Sequence, residues 1–221
     1  MLFATGLAGL ASFEHHPVPE VKRVLPDEQR LIARAAGGDV TAFRQIYERH
    51  RHDVARLVYR MIGPRSDLED VIQEVFVQVY KSLKDFRGQS KFSTWLHRVT
   101  VNVVLMHRRA MRSRPILVEE HAEVALPSDE LAPDEDFARR ERMRAFARLL
   151  GRLADKKRVV FVLHELEGLP PGEIAQIVGA PVLTVRTRLF YARREIEAML
   201  AEEPSLAGMQ LTFSKATGGD S

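Results

Sequence analysis

The sequence predicts an all-α chain built as two small helical domains joined by an acidic linker, the second domain containing a helix-turn-helix. Three observations predict it. Apolar residues recur at steps of three and four along most of the chain, with neither an alternating strand of convincing length nor an internal repeat. Charge is segregated into blocks: residues 107–114, HRRAMRSR, carry four arginines and no acid, whereas 115–136 carry eight acids and no lysine or arginine. Toward the end, a short apolar helix, a glycine and an arginine-rich helix follow one another over residues 171–200.

Taken in order, residues 1–26 open with MLFATGLAGLASF, which is apolar but has no basic residue before it and is too short to cross a bilayer, so it reads as a flexible extension. The first domain is placed at 27–113. A short helix over 27–36 is stopped by Gly37-Gly38, and Phe43, Ile46, Tyr47, Val54, Leu57, Val58 and Met61 mark a longer one ended by Gly63-Pro64. Ser66, with Glu69 three residues on, predicts a capping box, and Val71, Ile72, Val75, Phe76, Val79 and Leu83 form the buried stripe of the third helix. After a glycine-containing loop, FRGQSK over 86–91, Leu96, Val99, Val103 and Met106 mark a fourth helix that runs into the basic block.

Pro115, Pro127 and Pro133 punctuate an aperiodic acidic stretch, and 114–139 reads as a solvated linker. The second domain is placed at 140–203. Phe146, Leu149, Leu150 and Leu153 define one helix, and RVVFVLHEL, 158–166, is apolar nearly all round, as the central helix of a small bundle should be. A short helix over 171–178 and a turn at Gly179 precede a helix that buries Val185, Leu189, Ala192, Ile196 and Leu200 on one stripe. On its other side stand Thr187, Phe190, Tyr191 and Arg194, flanked by Arg186, Arg188 and Arg193. Residues 204–221, ending KATGGDS, read as a flexible tail.

Composition bounds the function. A chain of 221 residues with 45% hydrophobic content can build packed cores in both domains. The net charge is only +3 although the pI is about 9.3, so the distribution of charge, and not its total, points to partners. The absence of cysteine excludes disulfides, thiolate metal sites and cysteine nucleophiles, and agrees with a cytoplasmic location. A metal-dependent hydrolase is the strongest enzyme alternative, prompted by His50, His52 and Asp53 and by His164 and Glu165. Its geometry is poor, because His50 and His52 lie about 200° apart on a helix, and no His-Glu-x-x-His, phosphate loop or nucleophile motif is present. No catalytic residue, metal or cofactor is predicted.

In a helix-turn-helix the second helix enters the major groove, where arginine donates bidentately to guanine and threonine or aromatic groups touch thymine methyls. An arginine-rich face alone is most simply a solvated surface, but here the Gly179 turn, the small Ala175 at the helix crossing and the outward aromatics belong to one unit. On the third helix the buried stripe leaves Asp70, Gln73, Glu74, Val77 and Lys81 outside, with the acids in the first half, where the helix dipole favours them. Trp95, Arg98, Asn102 and Arg109 recur at three, four and seven residues, which puts them on one stripe beside the buried face of the fourth helix.

GLPPGEIAQIVGAPVLTVRTRLFYARREI resembles region 4 of the extracytoplasmic-function (ECF) sigma factors, and DLEDVIQEVFVQVYKSLKDFRGQSKFSTWLHRVTVNVVLMHRR resembles their region 2; with flanking helices the likeness spans 27–200. The resemblance implies a dissociable subunit of bacterial RNA polymerase, with promoter DNA as ligand and an anti-sigma factor as a further partner. It implies that Asp70, Gln73 and Glu74 dock on the polymerase core. It also implies that Arg87, Ser90, Lys91, Trp95, Arg98, Asn102 and Arg109 engage and open the minus-10 element. Arg186, Thr187, Phe190, Tyr191 and Arg194 would contact the minus-35 element. Three positions depart from the family pattern: Pro170 stands where a capping Ser or Thr is usual, Ala154 where a proline is common, and Tyr191 where a basic residue is common. An ordinary transcriptional regulator with an unrelated helical sensor domain is the other reading of the second half, and it leaves DLEDVIQEVF and STWLHRVTVN unexplained.

Overall fold

The structure is a computed structural model that describes residues 26–113, 133–203 and 206. All regular structure among the described residues is helical. α1 (Pro26–Ala36) and α2 (Val40–Ile62) pack as a hairpin about Gly37-Gly38, and α3 (Leu68–Ser82) and α4 (Phe92–Ser113) complete the first bundle. α5 (Pro133–Arg152), α6 (Asp155–Phe161), α7 (Pro171–Val178) and α8 (Val182–Ala201) form the second. α6 runs on into a single π turn, Val162–Leu166.

Local chemistry explains most boundaries. Asp39 caps α2 by accepting from the Ala42 backbone N–H at 3.0 Å. That bond, followed by hydrogen bonds from Arg34 and Thr41, holds the Asp39 carboxyl well below the ordinary carboxylate range. Gly63 ends α2 at φ 78°, a backbone region that only glycine enters without cost. An added Cβ there would also lie 3.6 Å from Ala147 of the second bundle. The capping box expected at Ser66 and Glu69 does not form. α3 begins at Leu68 behind Asp67, which makes no side-chain cap bond. Its carboxylate lies 3.0 Å from both Arg65 and His107, and Glu69 reaches Arg51 at 3.4 Å. The Arg65 guanidinium outcompetes a neutral backbone donor for the charge.

The core stripes fall where the periodicity puts them. Val71, Ile72, Val75, Phe76, Val79 and Leu83 are buried, as are Phe146, Leu149, Leu150 and Leu153. The run from Arg158 to Leu163 is buried on all sides. Leu200, expected on the buried stripe of α8, is half-buried, and Met106 departs furthest: it is 66% exposed, and α4 fills its core positions with Val101 and Val104 instead. Of the segment expected to be a linker, 114–132 lies outside the described residues, and α5 starts at Pro133, ahead of the expected boundary at 140. The extension 1–25 and residues 207–221 also lie outside them, and within the expected tail Leu206 is buried.

Candidate nucleic-acid and partner interfaces

Three surfaces are built by these helices. The first is the outer face of α3. Burial of Val71, Ile72, Val75 and Phe76 turns Asp70, Gln73 and Glu74 to solvent, with Val77 and Tyr80 exposed beside them. Tyr80 is held in place by an edge-on contact with Phe43, ring centroids 4.9 Å apart. The result is an acidic patch with an apolar floor.

The second surface is the loop before α4 together with one stripe of that helix. Phe86, Phe92 and Trp95 pack as a triad, with centroids 5.3–5.6 Å apart, so Trp95 is half-buried and shows only part of its ring. Arg87 on the loop and Arg98, Asn102 and Arg109 along the helix are exposed. Ser90 and Lys91 are half-buried at the helix start, and Lys91 Nζ lies 2.8 Å from Glu173 at the head of α7. The structure therefore brings Arg98, Asn102 and Arg109 onto one open stripe, while Lys91 is engaged by the other bundle.

The third surface is α8. Gly179 at φ 62°, ψ 42° makes the left-handed turn that separates it from α7, and Pro170 enters α7 with no side-chain cap bond. Val185, Leu189, Ala192 and Ile196 are buried, which leaves Arg186, Thr187, Phe190, Tyr191 and Arg194 exposed. Phe190 and Tyr191, 55% and 51% exposed, meet edge to face at 5.4 Å. Arg194 lies 5.8 Å from the Phe190 ring, close enough for a cation–π contact. The Thr187 hydroxyl donates to the Leu183 carbonyl at 2.9 Å, so its one hydrogen is committed within the helix while its oxygen can still accept. Arg193 turns back to Glu165, Nε to Oε1 at 2.7 Å, and is not part of the cationic face.

The two bundles meet along a polar seam. Arg60 of α2 donates to the Leu166 carbonyl and pairs with Glu167 at 2.7 Å. Arg108 of α4 reaches Asp155 at 2.9 Å, and Arg112 pairs with the same carboxylate. Burial pushes the Asp155 carboxyl up, but the two guanidiniums outweigh it and leave its pKa below the ordinary value. This contact is therefore complete above the usual carboxylate range and is lost as the pH falls through the lowered value. At the centre, Arg158 is fully buried; its guanidinium donates to the carbonyls of Leu150, Gly151 and Leu153 and, at 3.4 Å, of Met61. Burial lowers its pKa to about 10, so it stays charged at neutral pH.

Comparison with known proteins fits both halves of this architecture. The family model for Sigma-70 region 2 matches residues 46–114, and that for Sigma-70 region 4 matches 143–196. The ECF RNA polymerase sigma-E factor of Escherichia coli K12 is 37% identical over 77% of this chain and 92% of its own length. The Haemophilus influenzae sigma-E factor is 36% identical over 77% and 93%. The chain is an ECF sigma factor of the sigma-70 family. Among solved structures, CnrH in complex with the cytosolic domain of CnrY matches with a TM-score of 0.59 and 29% identity, covering 78% of this chain and 96% of that one. The sigma factor RpoE in complex with the anti-sigma factor NepR from Bartonella quintana shares the fold, with a TM-score of 0.56 over 72% and 96% at 18% identity.

In this sigma factor, then, the region 2 match runs from within α2 to the end of α4, and the region 4 match from within α5 into α8. No described helix is long and apolar enough to cross a membrane. Sequence reasoning missed the seam and Arg158. Arg158 follows two lysines, and in sequence it is indistinguishable from a solvated cation. The only signal was its place at the start of an otherwise apolar run.

Proposed function

We propose that the protein binds core RNA polymerase and directs promoter-specific initiation in the cytoplasm, restrained by an anti-sigma factor. The observation that carries this is the pairing, in one family member, of an outward acidic patch on α3 with an outward cationic and aromatic face on α8. Asp70, Gln73 and Glu74 dock on the core. Arg98, Asn102 and Arg109 track the minus-10 strand, with Arg87, Ser90 and Lys91 in the loop that receives an unstacked base and the edge of Trp95 as its wall. Arg186 reads a guanine edge near the start of α8, and Thr187 offers its methyl. Phe190, Tyr191 and Arg194 contact the adjoining bases and phosphates. Run-off transcription with purified core on genomic fragments, with sequencing of the 5′ ends, tests this. Discrete starts that share an upstream element support it, and loss of that selectivity in Arg186→Ala supports the reader role. Starts no different from core alone would refute the function.

The minus-10 groups separate from one another by function. Asn102→Ala and Ser90→Ala should lower open-complex formation on duplex promoters by about tenfold, the weight of one stacked or hydrogen-bonded base. They should matter much less on templates already melted across the minus-10 element. Permanganate reactivity of exposed thymines reads this, and equal losses on both templates would mean a folding or core-binding defect.

Reading both elements requires the seam to part. The elements lie about 25 base pairs apart, roughly 85 Å of duplex at 3.4 Å per step, whereas here α7 rests on α4 and Glu173 holds Lys91. Nineteen residues separate Ser113 from Pro133, a contour of at most about 65 Å, which with the breadth of the two bundles spans the gap. Fluorophores placed on α4 and α7 should therefore move apart when holoenzyme binds a promoter. An unchanged transfer efficiency would rule this out.

A further inference from the structure

We infer that Leu183 is a specificity-determining residue, reading the C5-methyl group of one thymine in the minus-35 duplex; the inference rests on the DNA-reading role proposed for α8. Leu183 is the second residue of that helix and, at 74%, the most exposed large apolar side chain among the described residues. It is no stray surface leucine, because Leu183, Thr187, Phe190 and Arg194 recur at steps of four, three and four and so share one face. Leu183 opens the stripe at the end of the helix that goes deepest into the groove, where helix-turn-helix proteins place their base contacts.

The chemistry selects the base. Leucine has no donor or acceptor, and against guanine, adenine or cytosine it would desolvate polar edge atoms without replacing their hydrogen bonds. The thymine methyl is the one apolar group on the major-groove edges of the four bases. The neighbouring side chain reinforces the preference. With its hydroxyl hydrogen given to the Leu183 carbonyl, Thr187 cannot also donate to an acceptor edge such as guanine O6 or N7 beside the leucine. Arg186, exposed on the adjacent turn, remains free to read the base pair next to it.

The test replaces each thymine of the minus-35 element in turn by deoxyuridine, which removes only the methyl, and measures holoenzyme affinity for the promoter. Wild-type holoenzyme should lose about three- to fourfold at one position, the weight of one buried methyl group. Leu183→Ala should bind the all-thymine promoter more weakly by at least that factor and be indifferent to deoxyuridine at the same position. Leu183→Met, which keeps an apolar reach, should retain the discrimination. The side chain is solvent-exposed, so Leu183→Ala should melt with the wild type. A deoxyuridine profile that is flat for the wild type, or the same in Leu183→Ala, overturns the inference while leaving the sigma-factor reading intact. Holoenzyme that binds no promoter overturns both.

Discussion

The double substitution Asp70→Lys with Glu74→Lys will abolish association with core polymerase and leave the fold standing. Both side chains are exposed on α3, while the residues that pack the helix, Val71, Ile72, Val75 and Phe76, are untouched. The local cost is small: Asp70 sits in the first turn, where an acid favours the helix dipole by about 0.3–1 kcal/mol. The interfacial cost is expected to be large, because each acid proposed to meet the core becomes a lysine, and a like-charge juxtaposition at an interface costs several kcal/mol. Co-purification on tagged core reads the first effect and thermal melting the second. Core binding that survives the swap would remove α3 as the docking face. A matching collapse in melting temperature would mean that the loss was one of folding.

Arg158→Ala should be the most destabilising single change in the second bundle. The guanidinium caps the end of α5 by donating to the carbonyls of Leu150, Gly151 and Leu153, of which Leu150 also accepts from the Leu153 N–H at 3.2 Å. Alanine removes the donor to the Gly151 and Leu153 carbonyls in a buried site, at about 1–3 kcal/mol each before water and relaxation recover part, and leaves Leu150 with its backbone partner. A net loss of about 3–5 kcal/mol is comparable with the whole stability of a small domain. The melting temperature of the second bundle should fall by more than about 10 °C. Lys157→Ala is the control, since that neighbour pairs with Glu195 near the surface. Arg158→Ala melting within a degree or two of the wild type would show that the carbonyls find other donors.

Two classes of misreading separate what local pattern can and cannot say. Ser66-x-x-Glu69 has the spacing of a capping box, yet Asp67 begins the turn and answers to Arg65 and to His107, forty residues away in sequence. Met106 stands three residues after Val103 yet is exposed, because α4 packs here through Val104, His107 and Arg108 and leaves Met106 on the outward stripe with Asn102 and Arg109. In each case the local preference is worth about 1 kcal/mol, and a neighbour remote in sequence, or the lack of one, is worth more. The stripe of α8 was legible for the opposite reason. Its buried residues and its exposed arginines and aromatics follow from helix geometry alone once one face is known to pack.

The sequence by itself determined the helical class, the helices and their inward stripes, the Gly179 turn of the helix-turn-helix and the residue types on both candidate DNA-facing surfaces. All of these depend on periodicities of three and four residues and on the torsional freedom of single glycines, which are local properties. Only the tertiary structure decided that Arg158 is a buried cap and not a surface cation, and that Arg193 is spent on Glu165. It alone decided that Lys91 meets Glu173, and that region 4 rests on region 2 through Arg60, Arg108 and Arg112. A charged side chain has the same sequence signature in water and in an ion pair, and what tells them apart is the position of a partner that no local pattern records.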